Sequence, residues 1–415
     1  MATTKQSPCP SPSPPVQRVA LTGGDKEIEE TSHELCKTFE EMHLKDELLR
    51  GVYSYGLETP SLIQQKGILP IVRGRDLLAQ AQCRTGKTTA YSIACLQKVD
   101  PSYHFTQALI LAPFCELAMQ THNMISKIAR FMKGLNILRV VGGEAISETA
   151  RKVAEAPQHI IVGTPGRVAH MIRSEILDVS HLRIFVLDEA DEMLSQGFKD
   201  KIFDINSNLP KNTQTVVMST IMPQEIIEIT RQILNDPVQI LVPRDELTPD
   251  GLRQFYVAVE KEEFKEEALF DLYDSIQVAQ CVIFCNSRRK VDYITEDLRS
   301  RKFTVSSIHG AMEQEDRNRI LQDFKDGKNR VLVTTDLLSR GTEVQQVSLI
   351  VNYDLPMEKE SYIHRIGISA RFGKKGIVIN LVTEEDGQML KDIQEFYGTK
   401  MEEMPADIKE LLQLK

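Results

Sequence analysis

The sequence predicts an α/β chain of two tandem domains, each a mostly parallel sheet flanked by helices. Three observations predict it. From about Thr38 onward, short β-branched runs alternate with longer helical patterns. The short runs are mainly apolar, as strands buried on both faces are. The alternation lapses once, near the middle, at a stretch that reads as a linker. Two domains also suit a chain of 415 residues at about 150 residues per domain.

Taken in order, the segment from Ser7 to Pro15 reads SPCPSPSPP. Pro and Ser at this density cannot bury a core, so residues 1–36 are expected to form a flexible tail. The first set of strands is expected at Asp76–Ala81, Ala108–Ala112, Ile137–Val141, His159–Gly163, Arg183–Asp188 and Thr215–Ser219. Most end in a polar or Gly-rich turn, which marks βα units. In such sheets a ligand binds beyond the carboxyl ends of the strands. Lys87, Glu116, Thr164, Asp188 and Ser219 all lie at or just after those ends. Residues 242–251 (VPRDELTPDG) carry two prolines, a glycine and charges, and read as the linker. The second set is expected at Phe255–Val259, Cys281–Phe284, Thr304–Ile308, Arg330–Thr334, Leu349–Asn352 and Ile377–Val382. The domains then span 37–241 and 252–415, one architecture used twice without residue-level identity.

Composition narrows the function. Hydrophobic residues make up 41% and charged residues 26%, an ordinary globular balance. Fifty Lys and Arg against 59 Asp and Glu leave a net charge of −9. That argues against a protein that coats nucleic acid by charge alone, and leaves room for a local basic groove. No apolar run approaches the ~18 residues of a membrane span. Met1 to Thr22 lacks the apolar core of a signal peptide, so secretion is not expected. Seven scattered cysteines without a CxxC pair read as reduced thiols of the cytosol or nucleus, with no disulfide framework and no zinc site.

Three segments carry chemistry. Residues 81–88, AQCRTGKT, follow a strand and precede a helix. Phosphate binding needs backbone N–H groups at a helix N-terminus and a cation. Gly86 allows close approach, Lys87 reaches the β- and γ-phosphates, and Thr88 holds Mg²⁺. The strict GxxxxGK[ST] pattern fails at Ala81, and GKT alone also opens ordinary helices; the strand-loop-helix context favours phosphate binding. Residues 186–191, VLDEAD, end an apolar strand in adjacent carboxylates. They suit Mg²⁺ held through Asp188 and a water polarised by Glu189. Together the two segments favour nucleoside triphosphate hydrolysis. Residues 364–371, HRIGISAR, form a basic cluster. On spacing alone it reads as a helix with solvent-facing arginines, the alternative being a cation that reaches across a cleft to a phosphoryl group.

These segments, with GLETPSLIQ (Gly56–Gln64), VGTPGR (Val162–Arg167), QGFKD, RDELT, VAVE, VIFCN (Val282–Asn286), FTVSSIHGAM, TTDLL with RG, VSLIVNYDLP and YIHRIG, resemble the DEAD-box RNA helicases. Within them they resemble the translation initiation factor 4A branch, including its exon-junction relative. The resemblance runs from about Thr38 to the C-terminus. It implies two RecA-like domains with ATP between them and single-stranded RNA across both. It implies an adenine-reading pair in Phe39 and Gln64, since Gln offers both a donor and an acceptor. It implies a nucleotide loop of Ala81, Gln82, Cys83, Arg84, Thr85, Gly86, Lys87 and Thr88, with Glu343 toward the ribose. Lys87, Asp188, Glu189 and Arg371 become the catalytic set, and Thr88 and Asp188 the Mg²⁺ ligands. Pro113, Gly142, Gly143, Thr164 and Arg167 become RNA contacts of the first domain, continued by Asn286, Gln314, Arg317 and Thr335 in the second. The implied partners are single-stranded or structured RNA and a HEAT-repeat scaffold of the initiation machinery around a monomer. Without a basic localisation run, the cytoplasm is favoured over the nucleus.

The chain departs from the family pattern at five places. Cys83-Arg84 replaces Ser-Gly in AQSGTGKT, and Phe114-Cys115 replaces Thr-Arg in PTREL. Thr220-Ile221 stands in SAT, which removes a hydroxyl at 221. Residues 339–343 read SRGTE for ARGID, and Ile368 takes the first arginine-finger position of HRIGRxGR, leaving Arg371. Two classes therefore stay open: an ATP-dependent RNA helicase that separates short duplexes, and a catalytically weakened paralog that only binds RNA and partners.

Overall fold

In a computed structural model of the chain, the described residues are 35–82, 85–195, 197–242, 248, 251–275, 280–338, 347–369 and 376–405. Cys83, Arg84, Glu343 and Arg371 lie outside them, as do nearly all of the expected tail and most of the expected linker.

The first sheet contains β1 (Leu77–Gln80), β2 (Ala108–Leu111), β3 (Ile137–Val140), β4 (Ile160–Gly163), β5 (Ile184–Asp188), β6 (Gln214–Ser219) and β7 (Val238–Ile240). The second contains β8 (Leu252–Ala258), β9 (Gln280–Phe284), β10 (Val305–Ile308), β11 (Val331–Thr334), β12 (Val347–Asn352), β13 (Gly376–Val382) and β14 (Glu402–Glu403). Strand order is β3-β4-β2-β5-β6-β1-β7 in one and β10-β11-β9-β12-β13-β8-β14 in the other. Numbered from its own first strand, each sheet reads 3-4-2-5-6-1-7, so the architecture is the same twice. All pairings between neighbours are parallel.

The strand sequences explain the layering. β1, β2, β4, β5 and β6 are buried at every position. Successive strand residues point to opposite faces. Leu77 and Ala79 thus join one apolar cluster with Ile110 and Val186, while Leu78 joins another with Leu109, Phe185 and Leu187. The second sheet divides likewise, Val282 and Phe284 on one face, Cys281 and Ile283 on the other. β3, at the edge, is only half-buried in alternation.

Two edge strands, β7 and β14, are not among the expected strands. Cys36, the last residue of the expected tail, is buried in the first core. Among the described residues, no helix is long and apolar enough to cross a membrane.

Sheet order sorts the candidate residues. The adjacent strands β5-β6-β1 end beside Asp188, Ser219 and the loop that leads to Lys87. The adjacent strands β3-β4-β2 end beside Gly142, Thr164 and Pro113. The equivalent strands of the second sheet, β10-β11-β9, lead to Gln314 with Arg317, to Thr335 and to Asn286. One half of the first sheet thus carries the candidate phosphate-site residues. The other half, and its counterpart in the second sheet, carry the candidate strand-binding residues.

Candidate active site

The candidate phosphate loop turns on a glycine. Gly86 caps the helix Lys87–Lys98 at a φ of 95°. A Cβ there would lie 2.2 Å from Gln64 Nε2. Both the left-handed backbone and the space require glycine. Gln64 is buried and already employed: its Oε1 accepts the Ser61 N–H at 2.9 Å and its Nε2 donates to the Gly86 carbonyl at 3.4 Å. Ser61 Oγ donates to the Thr85 carbonyl at 2.6 Å, so the start of the helix Leu62–Val72 and the loop brace one another. Thr85 Oγ1 donates to the Gln82 carbonyl at 2.8 Å, and Gln82 Nε2 to the Thr248 carbonyl at 3.4 Å.

Lys87 is buried, and its Nζ donates to the Ala81 carbonyl at 2.9 Å and to Thr220 Oγ1 at 2.6 Å. It also stands 3.6 Å from Glu189 Oε1. Thr220 Oγ1 donates onward to Glu189 Oε2 at 2.9 Å. Thr88 Oγ1 and the Tyr91 hydroxyl both donate to Asp188 Oδ2, at 3.2 and 2.7 Å. Burial, and then the Glu189 carboxylate, push Asp188 well above the usual carboxylate range. Glu189 takes a φ of 50°, a left-handed conformation that costs about 1–3 kcal/mol and clusters at functional sites.

The expectation that the SAT position loses a hydroxyl is half right. Ile221 has none, but Thr220 supplies one a residue earlier, against Lys87 and Glu189. Ser219 Oγ lies 2.6 Å from Asp191 Oδ1. Asp191 Oδ2 in turn meets His364 Nε2 at 3.0 Å, a buried tie from the first domain to the helix Lys359–Ile366 of the second. Ile221 packs into the second domain's apolar cluster, which also contains Ile366 and Ile368.

Two other expectations need correction. Phe39 is fully buried in the first core, its ring edge-on to Tyr53 at 6.3 Å. It offers no accessible face to a base here; Gln64 and Ser61 are the side chains of the segment Gly56–Gln64 that meet the loop. Arg365 does not face solvent. It is 0% exposed, donating to Asp336 Oδ1 at 2.5 Å and Oδ2 at 2.9 Å, to the Asp354 carbonyl at 2.6 Å, to Asn352 Oδ1 at 3.3 Å and to Asn286 Oδ1 at 2.8 Å. A guanidinium tolerates such burial because its fork of five N–H groups finds acceptors.

The candidate RNA residues line up along the other rim. Pro113 is buried after β2, and Cys115 Sγ donates to the Gly142 carbonyl at 3.8 Å. Thr164 caps the helix Pro165–Arg173, and Arg167 Nη2 donates to the Glu144 carbonyl at 2.7 Å. Across the domains, Gln314 Nε2 donates to Glu116 Oε1 at 3.1 Å, and Arg317 Nε stands 3.3 Å from the same oxygen. A Cβ on Gly143 would lie 4.0 Å from Gln314 Cβ, so the two rims meet there. Asn286 Nδ2 donates to the Leu355 carbonyl at 2.7 Å while its Oδ1 takes Arg365, so this side chain is held rigidly. The carbonyl of Thr335 accepts from Leu338 N–H at 3.2 Å.

Comparison with known proteins bears directly on this arrangement. The DEAD/DEAH box helicase pattern matches residues 61–229, and the helicase conserved C-terminal domain pattern matches 264–373. An ATP-dependent RNA helicase eIF4A from Mycosarcoma maydis is 51% identical, over 94% of this chain and 95% of its own length. The chain belongs to the DEAD/DEAH box helicase family. Its two sheets are accordingly the cores of tandem RecA-like domains. Among solved structures, Saccharomyces cerevisiae Dbp5 bound to RNA and ADP BeF3 is 32% identical, covers 91% of this chain and 98% of its own, and superposes with a TM-score of 0.85. A point variant of Dbp5 bound to Nup159, a Gle1 variant, IP6 and ADP is 31% identical, covers 89% of this chain and 97% of its own, and superposes with a TM-score of 0.62. As a whole, this DEAD-box chain resembles the first of these two arrangements more.

Reasoning from sequence misses three members of the site. Tyr91 reads as one residue of a helical pattern, and Thr220 is passed over in favour of Ile221. Arg365 falls among surface charges. The available signal for Thr220 is a second hydroxyl directly after Ser219 at a strand end.

Proposed function

We propose that this chain is an ATP-dependent RNA helicase of the translation-initiation type, with domains at 37–241 and 252–415. One observation carries the reading: adjacent strands of one sheet gather Lys87, Thr88, Asp188 and Glu189, while the neighbouring half of that sheet and its counterpart in the second gather the candidate RNA residues. Lys87 meets the β- and γ-phosphates of ATP, and Glu189 orients the attacking water. Gln64 retains one lone pair on Oε1 and one N–H on Nε2 for the adenine edge. Arg371 supplies the second domain's cation.

The donor set near Lys87 suits Mg²⁺. Thr88 and Asp188 offer hard oxygen donors side by side, Thr88 Oγ1 lying 3.2 Å from the buried Asp188 carboxylate, with Glu189 adjacent. Thr88 and Asp188 would hold the ion, which when bound neutralises charge on the phosphates.

RNA lies along Pro113, Gly142, Gly143, Thr164 and Arg167, and then Asn286, Gln314, Arg317 and Thr335. Such contacts position a strand by its phosphates and sugars without reading bases. The partner of this reading is a HEAT-repeat scaffold spanning both domains of a monomer, in the cytoplasm. A second reading, a weakened paralog that binds RNA without efficient turnover, is favoured by Ile368, a buried apolar side chain in the same cluster as Ile221 where the family pattern has an arginine. Separation of a short RNA duplex decides between them. The helicase reading expects strand release with ATP and none in Lys87→Ala. Binding of ATP and RNA without strand release favours the second reading.

A further inference from the structure

We propose that Thr220 is a positioning residue that couples the phosphate-binding cation Lys87 to the water-orienting carboxylate Glu189. The family pattern places alanine between the Ser and Thr of SAT; this chain places a hydroxyl there. Thr220 is fully buried. Its Oγ1 lies 2.6 Å from Lys87 Nζ and 2.9 Å from Glu189 Oε2, in a gap that leaves Lys87 and Glu189 3.6 Å apart.

The direction of the chain of bonds is fixed by elementary chemistry. An ammonium has protons and no lone pair, so Lys87 donates and Thr220 Oγ1 accepts. The single hydroxyl proton of Thr220 then points to Glu189, which as a carboxylate only accepts. Each donation polarises the next, and in a buried site the relay strengthens both bonds.

Two consequences follow for the reaction, and they have opposite signs. Lys87 is held by Ala81, Thr220 and Glu189, so a γ-phosphate must compete with these partners for the ammonium. Thr220 therefore weakens ATP binding. The same hydroxyl holds the Glu189 carboxylate, which sits on a strained left-handed residue and would otherwise turn more freely. Thr220 therefore helps turnover, because orientation of the attacking water is most of what such a carboxylate supplies. Thr220 tunes the proposed site and rests on that reading of Lys87 and Glu189.

The test compares the full-length wild type with Thr220→Ala, Thr220→Val and Thr220→Ser. Affinity for ATP is measured with a fluorescent ATP analogue, and turnover by steady-state hydrolysis with saturating single-stranded RNA. Thermal melting shows that each variant is folded. Thr220→Ala and Thr220→Val should bind ATP about fivefold more tightly, the effect of one net hydrogen bond. Both should turn over about tenfold more slowly, and Thr220→Ser should behave as wild type. A residue that merely fills space would sort by volume, with valine like wild type and serine like alanine. That ordering, or affinity and turnover that fall together, overturns the proposal. Binding and turnover by the wild type test the underlying reading separately. If the wild type binds no ATP, tight binding by Thr220→Ala and Thr220→Val still supports the coupling, and failure of both overturns it.

Discussion

Replacing Arg365 by alanine tests how the second domain holds its half of the site. The guanidinium makes a two-pronged pair with Asp336 and also serves Asp354, Asn352 and Asn286. Breaking a buried pair by removing one partner costs about 3–5 kcal/mol, because the other partner is left uncompensated. Here the Asp336 side chain is 40% exposed and can take up water. That moves the expectation to the low end, about 3 kcal/mol. Most of it comes from the Asp354 carbonyl and the Asn352 and Asn286 oxygens, which lose their donor. Lysine should not rescue, since one ammonium cannot reproduce the fork. The chain has no tryptophan, so urea unfolding is followed by far-ultraviolet circular dichroism, with RNA affinity measured alongside. The account expects the second domain to lose about 3 kcal/mol. It also expects weaker RNA binding under conditions where the variant is still folded, because Asn286 loses its anchor. A loss below about 1 kcal/mol, the range of a surface pair, would refute the reasoning.

Three further outcomes are expected. Gly86→Ala places a Cβ 2.2 Å from Gln64 Nε2 at a left-handed backbone, so ATP affinity should drop at least tenfold, about 1.4 kcal/mol; unchanged affinity in a nucleotide titration would count against the loop as described. His159 accepts the Asn136 N–H on Nδ1 at 2.9 Å, and burial holds its pKa below the ordinary value. The unfolded chain then binds the proton more readily, so stability should be fully present above the unfolded value near 6.5 and fall as pH drops below it; His159→Gln should flatten that decline in urea midpoints, and an equally steep decline would exclude His159 as its source. Ile221→Ser removes a first-domain side chain from the second domain's apolar cluster, worth about 1.5–3 kcal/mol of burial; small-angle scattering should show a larger radius of gyration, and an unchanged radius would contradict a role at the seam.

The fold is legible in the sequence because most of its strands are mainly apolar, β-branched runs with turns at their ends. Both sheets rest on such runs, and β1, β5 and β6 fall within a residue or two of expectation. β7 and β14 escape because strands of three and two residues at a sheet edge carry too short a pattern. The candidate phosphate loop and the acidic pair are legible because they occur together, each after an apolar strand of the same domain, although neither is specific alone. Arg365 is not, since its partners Asp336 and Asn286 lie 29 and 79 positions away in sequence. Only the fold brings them to one point. Phe39 enters only through the family resemblance, and its burial in the first core is set by packing that the local sequence does not display. Thr220 is visible but easily unweighed, because attention to the missing hydroxyl at 221 hides the gained one beside it.

In the proposed reading the two rims work as one unit, with ATP at β5-β6-β1 and RNA along β3-β4-β2 and β10-β11-β9. Steady-state ATP hydrolysis by the full-length chain, with and without single-stranded RNA, tests it most directly. The account predicts that RNA accelerates turnover, and that Lys87→Ala abolishes hydrolysis while the chain stays folded. Hydrolysis that is absent under both conditions, or indifferent to RNA that is shown to be bound, would contradict it.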